Sequence, residues 1–228
     1  MASKEISYDH VANIPLHYDR KEPFVYGTKG KLQTFESTKR LKTALEAAFA
    51  DLFAKWQLGK PDIILTAGTI GDGMNAHGKG LAFDLDGFVF GDRIFLMDSY
   101  PRNRLLYIAI NAHLFGHFTQ VLSYHYPLHR DHFHVDFNFT RRYRPESNAQ
   151  TFFVQSAIKY VGGADIGKTG PEKDGVDGVY GESTRKGIVA TCAKLGLTGT
   201  DLKIPANWVA FIDAVAAAGF AAATDFNP

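Results

Sequence analysis

Three features of the sequence predict an α+β fold. Two stretches, Leu81 to Phe88 and His132 to Phe137, alternate apolar and polar residues as half-buried strands do. Leu41, Leu45, Ala48, Leu52, Phe53 and Trp56 recur at the spacing of one helix face. Beyond residue 149 the texture changes to helical segments separated by glycine-rich turns. A chain of 228 residues has room for one large or two small domains. The expectation is an antiparallel-sheet domain over residues 1–140, followed by a small all-α, three-helix unit over 149–228.

The elements follow in order. Residues 1–36 are turn-rich, punctuated by Pro15, Pro23, Gly27 and Gly30, and read as an irregular arm. A helix is expected from Ser37 or Thr38, either of which can cap it, to the stop at Gly59-Lys60-Pro61. Residues 62–67 read as a buried strand, and the loop Gly68 to Gly73 leads to the alternating stretch at 81–88. A hairpin follows at 89–96, then a helix over 101–115 with Ser99 as cap and Pro101 in its first turn. Residues 119–126 and the second alternating stretch, ending near Phe139, supply the last strands. The polar, proline-bearing run from Thr140 to Asn148 reads as a linker. Helices are then expected over 149–161, 184–195 and 205–218.

Composition narrows the function classes. A net charge of +1 gives no bulk electrostatic attraction for nucleic acid. No apolar run reaches the length of a membrane span, so membrane insertion is not expected. The single cysteine, Cys192, leaves no internal disulfide framework and disfavours a thiolate metal site. The amino-terminal residues Met1 to Ile6 lack the apolar core of a secretory signal. Hydrophobic residues make up 45% of the chain, enough for a packed core, and a monomer is expected.

The chemistry concentrates on the two alternating stretches. Asp84 and Asp86 fall on the face opposite Leu81, Phe83 and Leu85; His132, His134 and Asp136 fall opposite Phe133, Val135 and Phe137. An acid within an apolar strand is costly unless something compensates it, and a metal ion is one such compensator. His77 lies seven residues before Asp84, across a Gly-x-Gly turn, and can fold back towards it. If the two strands share a sheet, a His/Asp/His cluster results, the ligand set of a catalytic zinc with one open position.

His77-x6-Asp84, followed about fifty residues later by Asp131-x-x-His134, resembles the zinc peptidases that cut D-Ala-D-Ala or L-alanyl-D-glutamate bonds in peptidoglycan. The wording is most similar to their extensin-like branch, with its His-Gly-x-Ala-x-Asp-like and Arg-Asp-His-x-His-x-Asp blocks. The resemblance implies Zn2+ held by His77, Asp84 and His134, with Asp131 as general base. His132 is implied beside the metal, orienting substrate or stabilising the oxyanion; as the first member of His-x-His it is also an alternative ligand. Asp136 and Asp86 are either partners orienting a ligand histidine or exposed acids, Asp136 being the better candidate.

In residues 149–220, Val176-Asp177-Gly178-x-Tyr180-Gly181-x-x-Thr184 resembles the signature of the three-helix peptidoglycan-binding domain. It departs at Thr191-Cys192, where that family usually has Phe-Gln. The resemblances together imply a peptidoglycan endopeptidase with a wall-binding module, acting in the periplasm or outside the cell. A phage endolysin or an effector injected by a secretion machine would reach the wall without a signal. The family's carboxypeptidases carry an arginine after the first strand to hold the substrate carboxylate. The matching segment, Thr66 to Ile70, has none, so Arg130 or Arg102 would have to supply the charge. A non-catalytic wall-binding protein, a D,D-carboxypeptidase and a zinc amidase are the alternatives.

Other histidines and acids carry weaker signals. His113 and His117 stand four apart on a predicted helix, but no glutamate accompanies them as in helical metalloproteases, and they read as ordinary helix histidines. His125 and His129 precede the second motif and are expected near the pocket mouth. Asp174 to Gly178 lacks the acid ladder of a calcium loop and reads as a turn.

Overall fold

The computed structural model describes residues 5–20, 25–69, 75–137 and 141–228. Among them the order is β1 (Ile6–Tyr8), β2 (His10–Val11), β3 (Ile14–Tyr18), β4 (Lys31–Leu32), β5 (Phe35–Ser37), α1 (Lys39–Lys55), β6 (Ile63–Gly68), β7 (Phe83–Phe90), β8 (Arg93–Leu96), α2 (Arg104–His117), β9 (Gln120–Leu122), β10 (Phe133–Asp136), α3 (Asn148–Ser156), α4 (Glu182–Lys194) and α5 (Pro205–Ala222). The fold is mixed α and β. The main sheet runs β2-β3-β6-β7-β10-β9, with β4 on β3 and β8 on β7, while β1 and β5 pair separately.

The amino-terminal segment is not the irregular arm its turn residues suggest. Ala12 and Asn13, both at positive φ, make a tight reversal that lets β2 and β3 pair. The main sheet is also not purely antiparallel, because β3 and β6 run parallel. The chain passes through α1 between them, and a helical crossover returns a strand in the same direction. Pro15 lies opposite His10 of β2, ahead of the β3–β6 pairing that begins at Leu16.

α1 begins where its sequence says it should. The Thr38 hydroxyl accepts from the Leu41 amide, and Leu41, Leu45, Ala48, Phe49 and Leu52 bury one face. α2 starts later than expected: Ser99 closes a short 3-10 turn at Met97–Ser99, Pro101 lies before the helix, and Asn103 takes the cap position. β9 stops at Leu122, since Tyr126 donates back to the Ser123 carbonyl and turns the chain before Pro127. The expected loop over Ile70–Gly73 and the strand end at Asn138–Phe139 lie outside the described residues.

The carboxy-terminal helices fall close to their predicted spans, with α3 continuing into a π-helical turn at Ala157–Gly162. Gln155 is buried and organises the loop between α3 and α4: it accepts from the amides of Asp177 and Gly178 and donates to Asp177 and the Val179 carbonyl. Asp174 accepts from the Tyr160 hydroxyl and the Val176 amide, as a turn residue does. α5 is long and apolar enough, by length and composition, to cross a membrane. Its Trp208, Phe211, Ile212, Val215 and Phe220 are buried, and it lies against α2. At Gly219 an added Cβ would stand 2.8 Å from the Leu105 carbonyl oxygen. One apolar cluster runs from Leu16 and Phe88 through Phe115 to Phe153 and Trp208.

Candidate metal centre

Antiparallel register decides the site. β10 pairs with β7 so that His134 stands directly opposite Asp84, with Phe133 opposite Leu85 on the core side. His77 comes from the turn before β7. Its loop is pinned by Gly80, at φ +63°, whose carbonyl accepts from both the amide and the hydroxyl of Thr38 at the head of α1. An added Cβ at Gly80 would press on the Ser37 and Thr38 backbone at 3.2 Å.

The three side chains converge. His77 Nε2 lies 3.2 Å from Asp84 Oδ1 and 3.0 Å from His134 Nδ1, and His134 Nδ1 lies 2.9 Å from Asp84 Oδ1. Three donors on a zinc at about 2.0–2.1 Å in tetrahedral geometry stand roughly 3.3–3.4 Å apart. Small outward movements of the rings would meet that spacing. These residues can hold a metal ion.

The surroundings suit such a role. The other nitrogen of His134, Nε2, lies 3.1 Å from Asp136 Oδ2, the carboxylate contact that commonly orients a ligand histidine. Burial disfavours an imidazolium at His134, but Asp136 and Asp84 outweigh it and raise the ring to about 9 in the metal-free protein. Burial also pushes the Asp84 carboxyl up, yet hydrogen bonding to His134 and His77 takes it well below the ordinary carboxylate range.

Asp131 and His132 border the trio. His132 Nδ1 is 2.7 Å from Asp131 Oδ1, and His132 Nε2 lies 3.9 Å from Asp84 Oδ1. The His129 ring packs against His132 and His134, at 4.8 and 5.8 Å between centroids, so it stays at the site. His125 does not: it sits between Tyr100 and Phe152, on the side of the helices.

Asp86 takes neither of its expected roles. It is buried, but its partner is Arg20, which donates to both its oxygens at 2.6 and 2.8 Å and donates a third bond, 3.0 Å, to Asp131 Oδ2. Burial outweighs the bonds from Arg20 and pushes the Asp86 carboxyl up to about 7, while the same contact holds the Arg20 guanidinium above its usual value against its own desolvation. The paired, planar bonds favour the ionised form without cancelling the cost of burial. Arg20 is therefore the arginine at this site. Arg130 pairs with Glu172, and Arg102 is exposed. Nothing near Arg20 in the sequence announces it, because it sits just past β3 and reaches over β6 to β7.

A second trio forms away from the sheet: Asp51 on α1 faces His113 and His117 on α2. A scan of family models and searches of curated proteins and of solved structures return no match to this chain.

Proposed function

We propose that this protein is a zinc-dependent peptidoglycan peptidase, an endopeptidase acting on stem or cross-link peptides of the bacterial wall. The observation that carries the reading is the meeting of His77, Asp84 and His134 within 3.2 Å, from segments whose wording resembles that peptidase family. A zinc ion there would supply Lewis acidity for a carbonyl and acidify a water towards neutrality.

The chain's own groups do the rest. Asp131 and His132 act as a hydrogen-bonded pair at the edge of the trio and receive the proton of the attacking water. Arg20 fixes Asp131 from behind while its other two bonds are spent on Asp86, which leaves it a positioning residue. Asp136 holds the ring of His134. The lack of an arginine between Thr66 and Thr69 favours an endopeptidase over a carboxypeptidase. Residues 149–228 serve as a wall-binding module that raises the local substrate concentration. Delivery as a phage endolysin, or as an injected effector, fits a wall substrate.

Digestion of purified peptidoglycan followed by mass spectrometry of the fragments tests this. Native protein loaded with zinc releases new peptide termini, and Asp131→Ala releases almost none while still binding zinc. Release of intact stem peptides would identify an amidase instead. No release from several wall types at full zinc occupancy would leave a wall-binding protein with a structural metal.

A further inference from the structure

We infer that Asp51, His113 and His117 form a second metal site, for a divalent transition ion of the zinc class, between α1 and α2. The two histidines stand four positions apart, so one helical turn stacks them on the same face of α2, with ring centroids 4.8 Å apart. Asp51 Oδ2 lies 3.3 Å from His117 Nε2 and 3.8 Å from His113 Nδ1. The first separation already matches donors that share a zinc, and the second needs to close by about half an ångström.

The tautomer of His113 is the telling feature. Its Nε2 donates to the Ala48 carbonyl of α1 at 2.8 Å, and this leaves Nδ1, on the Asp51 side, with its lone pair free. A ring whose far N–H is tied to a backbone carbonyl is what a metal-ligating histidine usually shows. His113 is buried, so its orientation is fixed by packing before any ion arrives. Two imidazoles and one carboxylate favour zinc, cobalt or nickel over magnesium or calcium.

The fourth side is open. The trio lines a cavity of about 670 Å³ beneath α5, walled by Trp208, Ile212 and Phe220, with Lys55 and Arg141 also on its lining. Water, or a small anion attracted by those two cations, can complete the coordination. One competitor is present: Lys55 Nζ lies 2.7 Å from Asp51 Oδ2. Both partners of that pair reach solvent, and such helix-surface ion pairs are weak, so a metal ion displaces the lysine.

Cobalt binding to the full-length chain, stripped of metal by a chelator, tests the site apart from the sheet trio. The His77→Ala, Asp84→Ala double variant is expected to keep one equivalent of Co2+, with the visible absorption of a nitrogen- and oxygen-ligated ion. Adding His117→Gln, or separately Asp51→Asn, removes that equivalent, with folding checked by circular dichroism. The native chain supplies a second measurement should the double variant not fold: two equivalents fall to one with His117→Gln. A folded His77→Ala, Asp84→Ala variant that takes up no Co2+ would overturn the site. So would binding that survives both His117→Gln and Asp51→Asn.

Discussion

In the sheet, Asp84 and His134 meet because two strands pair in antiparallel register, and His77 joins them from a turn locked onto the head of α1. Between the helices, His113 and His117 meet because one helical turn separates them, and Asp51 arrives from a different helix. The first trio is embedded in further charge: Asp136, Asp131, His132, Arg20 and Asp86 all touch it or one another. The second has an apolar wall, one backbone carbonyl and two solvent-reaching cations. A dense polar network suits proton transfer, and a sparse one suits holding an ion.

The largest effects should separate the two places outright. Asp84→Ala is expected to abolish wall digestion and one equivalent of metal, leaving the helix site loaded; elemental analysis beside the digestion assay reads both. Arg20→Ala should cost about 3 kcal/mol, because it strands the buried Asp86 carboxylate without its partner. Urea denaturation measures that loss, and helix-site metal affinity should not change. Gly219→Leu should cost about 1–3 kcal/mol by driving a side chain into the α2 backbone beside the helix cavity. Thermal unfolding with and without cobalt reports it.

Acidity sharpens the contrast further. In metal-free protein the His134 imidazolium is favoured by folding, since its value is raised from 6.5 to about 9. Its stabilising contribution is complete below about pH 6.5 and disappears as pH rises through about 9. Zinc must expel that same proton, so affinity at the sheet site should climb across this interval. Calorimetric titration between pH 6.5 and 9 in the His117→Gln background checks the slope. The smallest effect belongs to Lys55→Ala, which should change stability by no more than about 0.5 kcal/mol while tightening cobalt binding by freeing Asp51.

Much of the sheet site is legible in the sequence because a strand's period of two places Asp84, His132, His134 and Asp136 by residue number alone. Arg20 is invisible there: its partners are 66 and 111 residues away, and no local pattern joins them. Asp51 is hidden for the same reason, so His113 and His117 read as ordinary helix residues until α1 is placed beside them. The amino-terminal strands are missed because they are two to five residues long, too short for alternation to register against prolines and glycines. The three carboxy-terminal helices are found easily, since each runs for nine residues or more between glycine-bearing or polar breaks.

The span of the Arg20 to Asp131 bond has a consequence for how the molecule comes into being. The segments that carry Arg20 and Asp131, at the two ends of the sheet's sequence, must both be in place before Asp131 finds its cation, and such distant closures form late in folding. A chain still emerging from the ribosome, with residues beyond 130 not yet made, has neither His134 nor Asp131 to offer. Synthesis must run past residue 136 before the sheet trio is whole, whereas Asp51, His113 and His117 are all made some twenty residues sooner.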